Sequence, residues 1–313
     1  MKTLPDKSAL PLVAIIGPTA VGKTELAIQL ASKLDGEIIS ADSRLFYRGM
    51  NIGTAKPSPA ELAQVPHHLI DVANPDETWS LALFQQEACK IIDQLHQRRR
   101  LPMLVGGTGQ YIRAVTEGWT PPEVQADPRL RQVLEKMAAD HSPDWLYQKL
   151  YILDPAAADK IDARNLRRTI RALEVILSSG SLFSAQRGIV ESPYQLITIG
   201  LLRPRAELYQ RVDERIEAMF AQGLLAEVQG LLNQGYGPDL PSMSAIGYRE
   251  TAAVLENKMS LDEAITQMKR LTRVFVRRQA NWFKLDDPRI QWFEMNADTP
   301  SQVQRYILSR LEI

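Results

Sequence analysis

The sequence predicts an α/β fold in which a parallel sheet is flanked by helices, with an all-helical insertion and a helical C-terminal region. Three observations predict it. Short apolar runs alternate with segments of helical periodicity through the first third of the chain. A glycine-rich stretch joins the first apolar run to the first helical segment, and a stretch rich in proline and polar residues, 118–128, ends the alternation. Strands that alternate with helices usually pair in parallel, with helices covering both faces of the sheet.

The elements of the first third follow from hydrophobic spacing. Apolar runs predict strands over 12–16, 37–40 and 101–105. A helix is predicted over 23–34, and Ser80 has the position of an N-cap before a second, longer helix. These elements alternate in the order that a parallel sheet requires.

The alternation stops after the third strand. Four helices are predicted before the next strand, 195–201, and they cover 128–139, 143–150, 155–162 and 166–178. We therefore expect a core made of 1–119 and 191–313, with a helical insertion over 120–190. The remainder, from Arg205 onward, is predicted to be nearly all helical, with a turn at 235–238.

Composition limits the class of protein. The chain has 313 residues, of which 45% are hydrophobic, enough for a substantial core. Its single cysteine, Cys89, excludes an intramolecular disulfide and favours a cytosolic protein. No apolar run has the length of a membrane span, and the first apolar stretch is interpreted as a buried strand. The 37 basic and 37 acidic residues cancel, which leaves nucleic-acid binding open because local clustering decides it.

A phosphate-binding loop is the strongest motif. It follows the first strand, precedes the first helix and reads Gly17, Pro18, Thr19, Ala20, Val21, Gly22, Lys23 and Thr24, which is G-x-x-x-x-G-K-T. In such a P-loop the main-chain N–H groups surround a phosphate, the lysine adds charge, and the threonine hydroxyl can ligate Mg²⁺. The alternative is a glycine-rich turn without a ligand. The motif makes the fold class P-loop NTPase-like and indicates a di- or triphosphate without identifying it.

Asp42 is the candidate general base. It follows the second predicted strand, and ligands of parallel sheets bind outside the carboxyl ends of the strands. The third strand ends in Gly106, where nucleoside triphosphatases usually have a Walker-B acid. Asp42 is therefore the carboxylate best placed to accept a substrate proton, although an aspartate after a strand is often only a turn or cap residue.

Other polar residues of the first third carry weaker signals. Thr54 lies in a polar loop that contacts substrate or serves only as a connection. His67 and His68 are adjacent and lack further ligands at metal spacing, so we expect polar surface or core residues here, not a zinc site.

Two basic clusters indicate contact with nucleic acid. Arg164, Arg167, Arg168 and Arg171 have the spacing of one helix face. A second cluster contains Lys269, Arg270, Arg273, Arg277, Arg278 and Lys284, with Phe275 and Trp282 among them. Clustered arginines with interleaved aromatic residues suit a phosphate backbone and unstacked bases. The alternative is a solvated helix face whose arginines pair with acids such as Glu174.

The chain resembles bacterial tRNA dimethylallyltransferases, also called tRNA isopentenyltransferases, along nearly its whole length. Six stretches carry the resemblance besides the P-loop: 42–50, 52–57, 105–111, 171–175, 245–250 and 277–283. Two positions depart from the common pattern, because Leu45 stands where many members have glutamine and Gln110 where leucine is usual. The zinc-finger tail of eukaryotic relatives is absent from this sequence.

The resemblance implies transfer of a dimethylallyl group from dimethylallyl diphosphate to N6 of the adenosine 3′-adjacent to the anticodon, in tRNAs that read codons beginning with U. The P-loop would hold the diphosphate leaving group. Asp42 matches the residue that accepts the amine proton, and Thr19 matches a threonine near the bridging oxygen of the diphosphate. Lys23, Arg215 and Mg²⁺ on Thr24 would stabilise the leaving charge. The cofactor implied is Mg²⁺ alone, and the enzyme is expected to be a cytoplasmic monomer.

The resemblance also implies a set of tRNA contacts. The helical insertion resembles the mobile lobe that clasps the anticodon stem-loop. The expected contacts are Asp42, Ser43, Arg44, Leu45, Thr108, Arg131, Arg167, Arg168, Thr169, Ile170, Arg171, Tyr248, Arg249, Arg277 and Arg278.

Two other function classes stay open on the residues alone. A nucleotide kinase, or a transferase that prenylates a free adenine nucleotide, would share the P-loop and Asp42 but would not need the basic clusters. A non-catalytic or nucleotide-switched RNA-binding module would need the basic clusters but not Asp42.

Overall fold

The computed structural model describes residues 10–120, 122, 124, 127–185, 188–189 and 192–311. The chain forms two compact units, Met1–Thr116 with Ser192–Ile313, and Glu117–Glu191. The boundaries predicted from the sequence lie close to these, after residues 119 and 190. No helix in the part of the chain that the structure describes combines the length and apolarity of a membrane span.

The first unit is built on a six-stranded parallel sheet, and the second contains a short antiparallel pair. The order in the sheet is β3-β2-β4-β1-β7-β8, and β5 pairs with β6. The strands are β1 Pro11–Ile16, β2 Gly36–Ser40, β3 His67–His68, β4 Leu101–Gly106, β5 Trp119–Thr120, β6 Gly188–Ile189, β7 Gln195–Leu202 and β8 Ile290–Glu294. The three strands predicted in the first third, and the one after the insertion, are all present with nearly the predicted bounds.

Helices pack on both faces of the sheet. Successive residues of the central strand β1 face opposite sides, so Ile15 packs in the core on one face and Ile16 in the core on the other. The helices of the first unit are α1 Lys23–Lys33, α2 Pro59–Leu62, α3 Leu81–Gln97, α4 Gly109–Thr116, α9 Arg205–Ala221, α10 Leu224–Asn233, α11 Tyr248–Leu255, α12 Leu261–Ala280 and α13 Thr299–Arg310. Those of the second are α5 Pro128–Asp140, α6 Pro143–Leu153, α7 Pro155–Ala158 and α8 Leu166–Ser179. As expected, Ser80 caps α3 by accepting the N–H of Leu83.

The prediction that the C-terminal region is nearly all helical is wrong at β8. This strand lies at the edge of the sheet beside β7. Trp292 packs in the core on one face and Phe293 in the core on the other, while Gln291 and Glu294 are exposed. Because β8 packs apolar side chains on both faces of the sheet, it lacks the alternation of apolar and polar residues by which a strand is recognised in sequence. The predicted helix over 155–162 also ends early, at Ala158.

The second unit has its own core, and a buried acid lies beside it. Leu146, Leu150 and Leu173 are nearly inaccessible in that core, where α5, α6 and α8 pack together. The carboxylate of Glu174 is fully buried and accepts from the guanidinium groups of Arg131 and Arg171. Burial alone would raise the pKa of Glu174, but hydrogen bonds from the two arginines and from the Asp127 N–H outweigh it and lower the pKa.

Glu174→Gln tests this ion cluster. The native pKa lies below the unfolded value of 4.5, so the carboxylate stabilises the fold fully above about that pH and loses its contribution as the pH falls through the native pKa. We expect Glu174→Gln to lower the free energy of unfolding at pH 7 by about 2 kcal/mol and to flatten the acid limb of its pH dependence, measured by urea denaturation. Glu135→Gln, on an exposed position of α5, is the control and should change neither. Equal stability of the Glu174 variant at pH 7 would contradict the account.

Candidate active site

The P-loop joins β1 to α1 in a conformation that only certain residues adopt. Gly17 and Gly22 have φ angles of 151° and 109°, and Ala20 has a φ of 64°. A Cβ at Gly17 would also lie 2.9 Å from the main-chain oxygen of Leu201. Gly22 is the N-cap of α1 and supplies no side chain to cap the helix, so the first N–H groups of α1 remain for an anion.

Two arginines that the sequence analysis did not assign hold the loop through its carbonyl oxygens. Arg203 donates from Nε to the oxygen of Val21 at 3.0 Å, and Arg211 donates from Nε to the oxygen of Ala20 at 2.9 Å. In a trans peptide the C=O and the following N–H point to opposite sides. The N–H of Gly22 therefore points away from Arg203. Because their partners are more than 180 residues away in sequence, no local signal identifies these arginines.

Lys23 lies inside the loop. Its Nζ donates to the oxygens of Gly17 at 3.0 Å and Pro18 at 2.8 Å. Burial lowers the pKa of Lys23 to about 8, the charge of Asp42 raises it, and that of Arg215 lowers it. A bound anion would favour the protonated form, so near and above a pH of about 8 this lysine would take up a proton as it binds phosphate.

The charges of Asp42 and Arg215 both act on the pKa of Lys23, and that of Asp42 acts on the pKa of Arg215, so three of the four predicted catalytic residues lie within electrostatic range of one another. Asp42 follows β2 and accepts the main-chain N–H of Arg44 at 3.0 Å, which closes a local turn around the carboxylate. Burial lowers the pKa of Arg215, as does Arg211, and the charge of Asp42 raises it. The fourth residue, Thr19, is half-buried and donates its N–H to Oε1 of Gln279 at 2.8 Å.

The segment after Asp42 is anchored from two sides. Arg44 donates to the oxygens of Pro241 at 3.1 Å and Ser242 at 3.3 Å, while Ser43 and Leu45 are half-buried. Phe46 is buried among three aromatic rings, with centroid distances between 5.5 and 5.8 Å, and these belong to Trp79, Phe84 and Tyr111. The segment that follows the predicted base is thus held in place by hydrogen bonds and aromatic packing.

The loop containing Thr54 is organised by a second residue that sequence reasoning missed. The carboxylate of Glu227 accepts the N–H groups of Asn51, Ile52 and Gly53 at 3.0, 2.8 and 3.2 Å. Thr54 itself donates its hydroxyl to the oxygen of Met50 at 2.6 Å, which favours the connecting role. His68, nearby in sequence, lies in β3 and contacts Glu37, with 2.7 Å between Nε2 and Oε2.

The predicted tRNA contacts in the C-terminal part of the first unit, and Thr108, differ in how exposed they are. Tyr248 is fully buried and donates its hydroxyl to Glu227 at 2.5 Å, so its side chain is a core residue and cannot reach a polymer. Arg249 is exposed and pairs with Glu250. Arg277 and Arg278 are exposed on the last turns of α12, and Thr108 is half-buried just before α4.

The predicted arginine stripe of the second unit divides into two kinds of residue. Arg164 precedes α8 and pairs with Asp162, so it does not belong to the helix face. Thr169 and Ile170 are buried, so their side chains are core residues, whereas Arg131 and Arg171 bind Glu174 with 39% and 30% of their side chains still exposed. Arg167 and Arg168 are exposed on the first turn of α8, and their contact with phosphate stays a prediction.

The lysines and arginines of the second cluster also divide. Lys269 pairs with Glu217 at 2.6 Å, Arg273 pairs with Asp213, and Arg277 donates to the hydroxyl of Tyr209 at 3.3 Å. Arg270 and Arg278 are exposed. The alternative to nucleic-acid contact, a solvated helix face whose cations pair with acids, therefore holds for part of each cluster.

Two family models match the chain. One, described as IPP transferase, covers residues 45–286, and the other, described as isopentenyl transferase, covers residues 10–74. Together they cover the P-loop, Asp42, the second unit and α12.

Known proteins resemble the chain over most of its length. A tRNA dimethylallyltransferase of Roseiflexus sp. (strain RS-1) is 54% identical over 88% of this chain and 90% of its own. The crystal structure of the tRNA isopentenylpyrophosphate transferase of Bacillus halodurans is 41% identical, with a TM-score of 0.72 over 96% of this chain and 97% of that one. A eukaryotic dimethylallyltransferase, whose structures are described as acting on tRNA, is 27% identical, with a TM-score of 0.80 over 96% of this chain and 78% of that one.

Titration of Lys23 should govern anion binding. Because the bound state needs the ammonium form, the affinity for inorganic pyrophosphate should fall above a pH of about 8, by up to tenfold for each pH unit. Lys23→Arg stays charged over this range and shares the titration of the ligand itself, so it is the control. Calorimetric titrations between pH 7 and 9.5 should show a steeper loss for the natural protein than for the arginine variant. Parallel pH profiles would remove the Lys23 proton from the binding equilibrium.

Proposed function

The chain belongs to the IPP transferase family. We propose that Lys23, Arg215, Asp42 and Thr19 carry out the family's reaction in this chain, with dimethylallyl diphosphate as the donor. The protein is a tRNA dimethylallyltransferase: it transfers a dimethylallyl group to tRNA. The acceptor position of the family is N6 of the adenosine 3′-adjacent to the anticodon in tRNAs that read codons beginning with U. The donor that fits the P-loop is dimethylallyl diphosphate.

A single observation carries the assignment of residues, namely the electrostatic grouping of Lys23, Arg215 and Asp42 beside the P-loop. Two cations suit a leaving diphosphate, and a carboxylate suits a nucleophile that must lose a proton. A phosphoryl transferase could also use that carboxylate, but β4 ends in Gly106, where nucleoside triphosphatases usually have a Walker-B acid. The grouping therefore favours transfer from a diphosphate over hydrolysis of a triphosphate.

The P-loop would bind the diphosphate of the donor as the allylic C–O bond breaks. The allylic carbon gains positive character while negative charge accumulates on the diphosphate, so the reaction depends on stabilising that charge. The N–H groups at the start of α1 and the charges of Lys23 and Arg215 supply it. Thr19 would place its hydroxyl near the bridging oxygen.

Asp42 would act on the acceptor. The exocyclic amine of adenine is a weak nucleophile because its lone pair is delocalised into the ring. As the N–C bond forms, the nitrogen becomes more acidic, and Asp42 accepts the proton. The base must leave its stack to reach the carboxylate, and single-stranded loops make this inexpensive.

Two hydroxyl groups fit a divalent cation. Thr24 is exposed in the first turn of α1, and Oγ of Ser40 is buried at the end of β2 without a hydrogen-bond partner in the described structure. Hydroxyl and diphosphate oxygens are ligands that Mg²⁺ accepts. Thr24 would hold the ion, which would add positive charge to the diphosphate site. The monomeric state and the cytoplasmic location stay predictions.

Transfer to RNA is tested directly. With dimethylallyl diphosphate, Mg²⁺ and an anticodon stem-loop that carries the target adenosine, mass spectrometry should detect one added dimethylallyl group in the absence of ATP. Preferential transfer to AMP would favour the free-nucleotide transferase. RNA binding without product would favour the non-catalytic module.

Asp42→Asn separates the base from the turn that holds it. The amide can still accept the Arg44 N–H but cannot take the amine proton. We expect the single-turnover rate to fall by roughly a hundredfold to ten-thousandfold, with stem-loop affinity unchanged by fluorescence anisotropy. Asp262→Asn, the same change at an exposed position in the first turn of α12, is the control and should alter neither quantity. An unchanged rate in Asp42→Asn would remove Asp42 from the mechanism.

Arg168→Ala tests the exposed part of the basic stripe. Each phosphate contact that is lost should reduce the slope of log affinity against log salt by roughly 0.7–0.9. The matched control is Arg164→Ala, because Arg164 is equally charged and exposed but already pairs with Asp162 outside α8. Stem-loop titrations at several salt concentrations decide it. A slope in Arg168→Ala equal to that of the natural protein would place this residue outside the RNA contact.

A further inference from the structure

Gln279 bridges the P-loop and the turn before α4. It lies in the last turn of α12, is 8% exposed, and accepts the Thr19 N–H on Oε1 at 2.8 Å. Its Nε2 donates to the oxygen of Gly107 at 3.0 Å. Both bonds are long-range in sequence, so the amide joins three separate parts of the chain.

The residues around the Gln279 bridge pack closely against it and against the end of α12. A Cβ at Gly107 would collide with the Gln279 amide, and a Cβ at Gly109 would collide with the ring of Trp282. Arg113 donates to the main-chain oxygen of Trp282 at 2.5 Å. The end of α12 therefore rests against the turn at 106–109 at a distance that only glycine permits.

The bridge bears on the chemistry through Thr19. Its main-chain N–H is engaged by Gln279, which holds the backbone that carries the hydroxyl and leaves the hydroxyl as the group that can meet an anion. The proposed function puts that hydroxyl beside the bridging oxygen of the diphosphate, where a displacement of one ångström is costly to the rate. Arg277 and Arg278, predicted to meet RNA, lie on the same turns of α12 as the bridging amide.

We propose that Gln279 is a positioning residue that orients Thr19 for departure of the diphosphate and ties the P-loop to the RNA-facing end of α12. This rests on the proposed function, because it assigns Gln279 an effect on that reaction. A purely structural amide that satisfies two buried polar groups would instead change stability and leave the chemical step untouched.

Gln279→Met keeps the length of the side chain and removes both hydrogen bonds. We expect kcat to fall by roughly tenfold to a hundredfold. The KM for dimethylallyl diphosphate and the affinity for the stem-loop should change little, because the N–H groups of α1, Lys23 and the exposed arginines are intact. In a Thr19→Val background the same substitution should have almost no further effect, since residues that act through one another are not additive.

Two variants keep the test decisive. Val276→Ala removes a core contact one turn earlier on α12, and it should lower stability with kcat unchanged. Gly107→Ala would push on Nε2 of Gln279 and should reproduce the loss of kcat, also where Gln279→Met does not fold; because the new Cβ would lie 3.2 Å from the Gly17 oxygen as well, the dependence of that loss on Thr19 decides its cause.

The outcomes are distinguishable. An unchanged kcat in Gln279→Met or Gly107→Ala, or losses that multiply in the Thr19→Val background, would overturn the positioning role while the natural protein still prenylates RNA. Absence of transfer by the natural protein would instead overturn the proposed function itself.

Discussion

The conformation of the P-loop depends on what binds its carbonyl oxygens. Arg203 and Arg211 donate to Val21 and Ala20, and Lys23 donates to the oxygens of Gly17 and Pro18. With these acceptors satisfied inside the protein, the N–H groups at the start of α1 are left for an anion. The same bonds hold Ala20 at a positive φ that a free loop would avoid. Everything proposed for the site, from the diphosphate to the role of Thr19, requires this preformed cradle.

Sequence reasoning succeeded where information is local. The P-loop, the three strands of the first third and the cap at Ser80 follow from spacing within a few residues. It failed at β8, because an edge strand with a tryptophan packed on one face and a phenylalanine on the other has no alternating pattern. It also missed Arg203, Glu227 and Gln279, whose main-chain partners in the site are between 172 and 260 residues away. Side chains that act on distant backbone leave no mark on their own neighbourhood in sequence.

Buried and surface acids explain why basic clusters mislead. The chain has equal numbers of acidic and basic residues, and Glu174 binds Arg171 of the stripe together with Arg131, which the family resemblance assigned to tRNA. Both arginines and the Asp127 N–H offset the desolvation of that carboxylate, so removing either arginine from it costs stability. What remains for RNA is a smaller set, including Arg167, Arg168 and Arg278, which lie exposed on helix surfaces. Local pairing, and not the count of charges, decides which cations face a polyanion.

The central claim is that the P-loop serves a departing diphosphate and not a hydrolysed triphosphate. The most direct measurement is the ratio of diphosphate released to adenosines prenylated, determined in one reaction that contains dimethylallyl diphosphate, stem-loop RNA and no nucleoside triphosphate. The account predicts one diphosphate for each modified adenosine, with release abolished when RNA is omitted. Rapid hydrolysis of a nucleoside triphosphate, with no allylic group reaching the RNA, would contradict it.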